Sequence, residues 1–170
     1  IWDGTYTTAP VDSDGDGVYE INTAEELAYV IDNDGTVDGK TACSFILTDD
    51  IYINDPSKVN WETGIALDAN YTINSWFRYW KTGNIYHEFA GSIDGDGHTV
   101  YGLYVNGVYS AGLFPALSSG VTIKNLAISN AYITGGTGFA GGIAGQLIYV
   151  DWRLSNKILN CSVTNAIVGE

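Results

Sequence analysis

The feature that most constrains the fold of this chain is an internal repeat. The segment IKNLAISNAYITG, which starts at Ile123, recurs 35 residues later as ILNCSVTNAIVGE from Ile158. Within each copy, apolar and polar residues alternate with the period of a β-strand. A unit of this size cannot bury its own apolar face, so we expect successive copies to stack and bury a shared column of side chains.

Shorter elements extend the repeat towards the N-terminus. HTVYGLYVNG from His98 has the same spacing of apolar residues at its start. AGLFPAL from Ala111 recurs as GGIAGQL from Gly141. The unit is therefore a Gly-rich apolar turn, a strand, a two-residue corner and a second strand. Asn130 and Asn165 fall at the same corner of two units. Because Asn tolerates a left-handed backbone and hydrogen-bonds its neighbours, we expect these two residues to form a structural amide ladder.

Helix signals are confined to one stretch. Thr23 and Glu26 form a capping box ahead of apolar residues at helical spacing, which predicts a helix over residues 23–34. We expect this helix to cover the open end of the first coil. No such segment follows the last repeat strand before Glu170. We expect that end to be uncovered, covered by a partner, or continued in a longer protein.

The order of the motifs along the chain is specific in combination. It runs INTAEELAYVI (21–31), FILTDDIYI (45–53), FAGSIDGDGHTVYGLYV (89–105), AGLF (111–114), IKNLAI (123–128) and GGIAG (141–145). In this order the chain resembles the GLUG-motif repeat proteins of bacterial surfaces over about residues 18–170. The resemblance implies a right-handed β-helix and surface display, and it supplies no active site. The chain departs from the family between Trp61 and Glu88, where a short loop is usual.

The predicted fold is therefore all-β: a short right-handed parallel β-helix, or solenoid, with one N-terminal capping α-helix. The 21 Gly, 12 Tyr and 5 Trp residues, with only 3 Pro, agree with a β protein. We expect a single domain over residues 1–170. It comprises an extended N-terminal segment with an acidic loop (1–22), the helix, coils (41–170) and an aromatic-rich insertion (61–89).

Charge and hydropathy exclude several partners. Twenty acidic residues against seven basic ones give a formal net charge of −13. Nucleic acids and anionic membrane surfaces need clustered Lys and Arg, so neither is an expected partner. No apolar run approaches the roughly 18–20 residues of a membrane span, so membrane insertion is not expected. The two cysteines, Cys43 and Cys161, lie in strand-like apolar contexts and are interpreted as buried free thiols.

The motif DSDGDG from Asp12 reproduces the first half of a calcium loop, in which alternate oxygens turn inward onto one cation. The twelfth position holds Thr23 where a bidentate Glu is usual. A calcium site and a solvated acidic turn both remain open, and no organic cofactor is expected. The candidate ligands are Asp12, Asp14, Asp16, the Val18 carbonyl and Glu20.

The motif DGDGH from Asp94 to His98 places two carboxylates and an imidazole together, as an acid–base or metal site would. Its two glycines favour a tight turn between strands instead. A polysaccharide lyase would need a basic residue beside calcium, but Lys124 and Lys157 are isolated in the sequence. We therefore expect no enzymatic activity, and a lyase or hydrolase is the weakest alternative.

The aromatic-rich insertion is the predicted recognition surface. Its rings could stack on sugars, form a protein interface, or pack on the solenoid as a small core. We expect some of Trp76, Tyr79 and Trp80 to be partly exposed. The candidate residues are Trp61, Tyr71, Trp76, Phe77, Arg78, Tyr79, Trp80 and Tyr86.

The sequence thus predicts a non-catalytic extracellular module, secreted or on a bacterial cell surface, for adhesion or for binding a ligand such as a glycan. The alternative is a self-associating structural subunit of a surface fibre or stalk. The expected partners are a glycan, a surface protein or copies of the chain itself.

Overall fold

In the computed structural model, the described residues are 1–76, 87–107, 109–148, 151 and 153–169. They contain one α-helix and one short 3₁₀ helix, and all other regular structure is β. An all-β fold with a single helix is therefore confirmed. Among the described residues, no helix is both long and apolar enough to cross a membrane.

The helices are α1 (Ala24–Asp32) and the 3₁₀ helix (Pro56–Lys58). The strands are β1 (Val18–Ile21), β2 (Ser44–Leu47), β3 (Ile51–Tyr52), β4 (Val59–Asn60), β5 (Ile65–Ala66), β6 (Glu88–Phe89), β7 (Ser92–Asp94), β8 (Thr99–Val105), β9 (Ser110–Ala111), β10 (Phe114–Leu117), β11 (Thr122–Lys124), β12 (Ala127–Thr134), β13 (Phe139–Ala140), β14 (Ala144–Leu147), β15 (Lys157–Leu159) and β16 (Ser162–Gly169).

Three parallel sheets contain most of the strands. Sheet A has the order β1-β2-β7-β11-β15, sheet B has β6-β10-β14, and sheet C has β3-β8-β12-β16. The pair β9-β13 is also parallel, whereas β4 and β5 form an antiparallel hairpin. Neighbouring strands of a parallel sheet need a long connection between them. In sheets A, B and C, the connection from β1 to β2 contains α1, and every other connection contains strands of the other two sheets.

The strands therefore divide the chain into four repeats: residues 44–89, 92–117, 122–147 and 157–169. Each of the first three gives a strand to sheet A, then to sheet C, then to sheet B. The fourth gives β15 to sheet A and β16 to sheet C. The two-residue corner predicted between strands is present in the third repeat, where Asn125 and Leu126 separate β11 from β12.

Side chains at equivalent positions of the repeats stack in columns. Those of the first three repeats are buried and join one core cluster, in which a fully buried Ile or Val contributes about 1.5–3 kcal/mol. Cys43 is buried with them and Cys161 is half-buried, and both thiols are free. Two columns are Phe45–Ile93–Ile123–Ile158 in sheet A and Val100–Ile128–Val163 in sheet C.

The helix begins and ends close to its predicted limits. The Thr23 hydroxyl accepts a hydrogen bond from the Glu26 N–H (3.2 Å), and the Glu26 carboxylate accepts one from the Thr23 N–H (3.1 Å). This capping box satisfies N–H groups that a helix start leaves unpaired. Helix α1 buries Leu27 and Ile31 in the core and lies against β1 and β6. It therefore covers the N-terminal end of sheet B.

Other segments cover the N-terminal edges of the remaining two sheets. The Trp2 N–H donates to the Tyr52 carbonyl (2.9 Å) at the outer edge of β3 in sheet C. Val11 forms an antiparallel bridge with Glu20 on β1, the edge strand of sheet A. The N-terminal edges of all three sheets are therefore covered. The sequence predicted that the helix would cover this end, and the structure shows that two further segments contribute.

The Asn corners have the predicted backbone but not the predicted ladder. Asn130 and Asn165 have left-handed φ angles of 58° and 47°. Asn130 Oδ1, however, accepts from the Ser129 hydroxyl (3.3 Å), and the amide–amide bond lies at the preceding corner. There Asn160 Nδ2 donates to Asn125 Oδ1 (2.9 Å). The sequence matched both Asn pairs between repeats, and only the orientation of the side chains decides which pair can bond.

Gly102 occupies the corner position of the second repeat that Asn130 occupies in the third. Its φ of 74° is left-handed like that of Asn130. The Asn54 backbone lies directly against it, so a Cβ at residue 102 would overlap the Asn54 carbonyl oxygen. The corner therefore holds Asn in one repeat and requires Gly in another, because the Asn54 main chain packs directly against Gly102.

We expect Gly102→Ala to lower the free energy of unfolding by about 2–5 kcal/mol, because a left-handed φ costs Ala about 1–2 kcal/mol and the overlap with Asn54 adds about 1–3 kcal/mol. Asn130→Ala is the matched control at the same corner and should lose only about 1 kcal/mol. Urea unfolding measures both changes. Equal losses in the two variants would show that Asn54 does not press on residue 102.

Candidate functional site

The acidic loop ahead of β1 brings three carboxylates together. Ligand oxygens of Asp12, Asp14 and Asp16 all lie within 4.8 Å of one another. The loop is shaped by the same side chains, since the Asp12 carboxylate accepts the N–H groups of Gly15 (2.8 Å) and Gly17 (3.0 Å). Both glycines have left-handed φ angles, which lets the chain turn tightly enough to gather alternate residues.

The other two predicted metal ligands have different surroundings. The Glu20 carboxylate accepts hydrogen bonds from the Ser13 hydroxyl (2.7 Å) and N–H (3.0 Å), which hold the pKa of Glu20 below its ordinary value. Glu20 is thus engaged by Ser13 and stands outside the group of three carboxylates. The Val18 N–H donates to Asp16 Oδ1 (2.8 Å), and its carbonyl remains a predicted ligand.

The donor set of the loop suits a hard cation. Calcium takes six to eight oxygen ligands, and three carboxylates would supply its charged ones. The bonds from Gly15 and Gly17 orient the Asp12 carboxylate without using all of its lone pairs. The residues present therefore fit calcium, with main-chain carbonyls and water needed to complete its coordination.

The described tryptophans of the aromatic-rich insertion are buried. Trp76 is 1% exposed, its indole N–H donates to the Leu113 carbonyl (2.9 Å), and its ring meets Trp2 edge to face at 5.0 Å. Trp61 is 6% exposed and donates to the Pro56 carbonyl (2.9 Å). The expectation that these two rings are available to a ligand is wrong. Burying a Trp ring stabilises the fold more than exposing it, provided that the ring N–H has a hydrogen-bond acceptor.

The remaining predicted recognition residues are only partly described. Tyr71 is half-buried, and its hydroxyl accepts a hydrogen bond from the Asp55 N–H (2.8 Å). Its polar end is therefore engaged in holding the local fold. The other candidates lie outside the described residues, and their part in recognition stays a prediction: Phe77, Arg78, Tyr79, Trp80 and Tyr86.

A buried amide, which the sequence analysis missed, closes the base of the insertion. Asn54 Nδ2 donates to the carbonyls of Asn74 (2.9 Å) and Gly102 (2.8 Å), and its Oδ1 accepts the Asn74 N–H (2.7 Å). The main-chain N–H of Trp76 then donates to the Tyr104 carbonyl on β8, which places the chain beside sheet C again. The loop thus leaves the sheet before Trp61. The turn signal Asn-Asp-Pro after β3 could have located this start.

Two stacked tyrosine pairs on the outer face of sheet C were also missed. Tyr52 lies on Tyr101 (ring centroids 4.9 Å apart, planes at 15°), and Tyr104 lies on Tyr132 (5.5 Å, 16°). Gly64 of the β4–β5 hairpin packs against the Tyr132 ring. Each pair uses ring faces for its own stacking, which contributes about 0.5–1.5 kcal/mol beyond burial. In-register Tyr residues on neighbouring strands are the signal that would have found them.

The acidic turn after β7 is engaged with the next repeat. The Asp94 carboxylate accepts hydrogen bonds from Lys124 Nζ (2.8 Å), Asn125 Nδ2 (2.9 Å) and the Asp96 N–H (3.0 Å). Asn125 in turn accepts from Asn160. One carboxylate and two amides therefore form a ladder across three repeats, and Lys124, isolated in the sequence, has an ion-pair partner in space.

The two histidines also contact distant segments. His98 Nδ1 lies 3.4 Å from Asp50 Oδ1, an oxygen that accepts the Thr99 N–H (2.8 Å) as well. His87 Nδ1 lies 3.0 Å from Asp34 Oδ1. His98 is thus paired with the preceding repeat and not with the carboxylates of its own turn. This geometry favours a structural turn at residues 94–98.

Fold and site together define an all-β protein of stacked parallel repeats with an acidic N-terminal loop. No family model matches the chain, and no solved structure matches it. The chain is 32% identical over 174 residues to Halomucin of Haloquadratum walsbyi. This match takes in 98% of the chain and 2% of Halomucin, so the chain spans about one fiftieth of the length of this curated relative.

Burial of the Asp94 carboxyl raises its pKa, but hydrogen bonds from Lys124 and Asn125 outweigh burial and leave the pKa below its ordinary value. A depressed pKa in the folded state stabilises the protein above the unfolded pKa of about 3.9, and this stability is lost as pH falls through the folded value. We expect Asp94→Asn to cost about 1 kcal/mol at pH 7 and progressively less as the pH falls below about 3.9.

Thermal unfolding of wild type and Asp94→Asn from pH 7 to pH 3 measures this difference. Asp96→Asn is the control, because Asn accepts the left-handed φ of 49° at that position and Asp96 contributes only its N–H to the ladder. A deficit of Asp94→Asn that stays constant with pH would contradict the role of the charge.

Proposed function

We propose that this chain is a non-catalytic structural module of a cell-surface or secreted protein, folded as a right-handed parallel β-helix of the GLUG-motif kind. Sheets A, B and C would be the three faces of the helix, and each repeat one coil. The observation that carries the proposal is the in-register stacking of equivalent residues, such as Ile93 on Ile123, in consecutive repeats. Crossovers between parallel strands are right-handed in about 98% of cases, which supports the hand.

The titratable groups of the repeats interact with residues of neighbouring repeats, which supports a structural role over a catalytic one. Acid–base catalysis needs a group within hydrogen-bond reach of the substrate. In the repeats, the Asp94 carboxylate bonds Lys124 and Asn125, and His98 faces Asp50. These contacts join one repeat to the next. Burial of Trp61 and Trp76 likewise favours the structural alternative over a ligand-binding surface.

Two observations support an extracellular setting. The net charge of −13 disfavours nucleic acid, an intracellular partner that needs a basic surface. The chain resembles, over almost its whole length, a 2% stretch of Halomucin, a protein named as a mucin. Within this proposal the chain is one module of a much longer surface protein. Display on a bacterial surface in particular remains a prediction from the sequence.

A polysaccharide panel combined with a glycan array tests the structural role. We expect no new reducing ends from acidic or neutral polysaccharides, with or without calcium, and no glycan bound above the background of a denatured sample. Turnover of any polysaccharide would contradict the proposal. Saturable glycan binding by the folded chain would replace it with the ligand-binding alternative.

A second role, calcium binding, is favoured by the gathered oxygens of Asp12, Asp14 and Asp16. A ligand bound only by the folded state raises stability, by about 2.7 kcal/mol at one hundred times its Kd. We expect calcium to raise the melting temperature relative to EDTA, and Asp14→Asn to abolish that increase. Asp38→Asn removes an exposed carboxylate outside the group and should keep it. An increase that survives in Asp14→Asn, or none in wild type, would contradict this site.

A further inference from the structure

The chain contains two Asn-x-Ser/Thr motifs, the pattern on which cells attach a glycan to an asparagine amide. They are Asn-Tyr-Thr at residues 70–72 and Asn-Cys-Ser at residues 160–162. Neither has Pro at the middle position, which the pattern excludes. A pattern of three residues is common by chance. The structure around each motif therefore has to distinguish an accessible acceptor from a buried coincidence.

The first motif lies on an exposed turn of the aromatic-rich insertion. The Tyr71 N–H donates to the Asp68 carbonyl (2.9 Å) and closes a turn that has Asn70 at its third position. The Asp68 carboxylate accepts the Asn70 N–H (2.9 Å) and fixes the same turn. Asn70 Nδ2 donates to this carboxylate over 3.3 Å, a long bond at an exposed position. Asn70 and Thr72 are both exposed, so the turn presents the amide and the hydroxyl to solvent.

Tyr71, the middle residue of this motif, attaches it to the protein. The residue is half-buried, and its hydroxyl accepts the Asp55 N–H (2.8 Å) and donates to Asn54 Oδ1 (3.5 Å). Burial therefore alternates across the motif, with the acceptor amide and the hydroxyl on the exposed positions. Residues 71–75 belong to no helix or strand. A transferase can therefore reshape this backbone without breaking a sheet.

The second motif is part of the stack. Asn160 has a left-handed φ of 51° at the corner between β15 and β16, and its Nδ2 donates to Asn125 Oδ1 (2.9 Å). Ser162 begins β16 and is in register with Ala127 of the preceding repeat. A sugar on the Asn160 nitrogen would have to fit between two stacked corners. The two motifs thus differ in their bonds to the rest of the fold, and only the first is available.

The insertion also exposes apolar side chains just ahead of the first motif. Ile65 on β5 is 63% exposed and Leu67 is 65% exposed, and the Leu67 N–H donates to the Lys58 carbonyl across the hairpin. Neighbouring exposed apolar side chains promote unspecific association. A glycan is bulky and solubilising, so one carried by Asn70 would shield this side of the insertion.

We propose that Asn70 is an acceptor for an N-linked glycan. Asn70 Nδ2 forms a bond to the anomeric carbon of a sugar, while the bond from that carbon to the phosphate oxygen of a lipid-linked oligosaccharide breaks. The amide loses one proton, and the lipid phosphate is the leaving group. The chain is the substrate of this transfer, and an oligosaccharyltransferase catalyses it. The inference rests on the secreted or surface setting of the proposed function and adds a covalent modification and its residue.

Transfer to the purified, folded chain tests this acceptor. The chain is incubated with an oligosaccharyltransferase and a polyprenyl-pyrophosphate-linked oligosaccharide of known mass, and mass spectrometry of the intact chain and of its peptides follows the product. We expect one oligosaccharide per chain, on the peptide that contains Asn70. Asn70→Gln and Thr72→Ala should abolish transfer, whereas Thr72→Ser keeps the hydroxyl and should retain it. Asn160→Gln is the matched control at the second motif and should be modified like wild type.

The outcomes separate this inference from the proposed function. A wild-type chain that stays unmodified, under conditions that modify an unrelated acceptor peptide, would overturn the inference. Transfer to Asn160 of the folded chain, or transfer that survives in Asn70→Gln, would also overturn it. Peptide mapping of wild type locates the sugar even where a variant is destabilised. A chain that accepts no sugar, and that neither binds nor cleaves polysaccharides, would leave the proposed function standing.

Discussion

In-register stacking of the repeats is the constraint on which the rest of this structure depends. Because neighbouring strands are parallel and one repeat apart, each side chain meets its own equivalent above and below. Ile93 and Ile123 are buried together for that reason. A shift by one residue would turn every apolar side chain of a strand outward. Left-handed corners such as Asn130 keep this register, since they change the strand direction without adding a residue.

The loop between Asn54 and Trp76 is tolerated because it leaves and rejoins sheet C at nearly the same place. Asn54 satisfies its amide donors and acceptor at that base, so the chain crosses the core boundary without leaving a polar group unpaired. Beyond the base, the two described tryptophans are buried. Trp76 joins the main core, and the Trp61 indole N–H donates to the Pro56 carbonyl. The described part of the insertion therefore extends the packing of the stack and does not display a row of rings.

The segments that precede the first repeat cover one end of the stack. This N-terminal end is closed by α1 and by residues that follow the N-terminus, and it belongs to the strongly acidic half. Within the stack, Ile123 is buried between the repeats on either side of it, whereas Ile158 of the fourth repeat is 45% exposed. The burial of a column therefore depends on the repeat that stacks on it, because a single repeat cannot cover its own apolar face.

The sequence by itself determined what is periodic or local. The repeat predicted parallel stacking strands, the Thr23–Glu26 pair predicted the helix start, and the corner Asn residues predicted a left-handed backbone. Only the tertiary structure decided which Asn pair bonds, that Trp76 is buried, and which segments cover the N-terminal edges of the sheets. These depend on neighbours distant in the chain, and alternation alone does not say which side of a loop faces the core. The sequence of a repeat determines which of its side chains form an apolar face. Which segment packs on that face is decided by residues elsewhere in the chain.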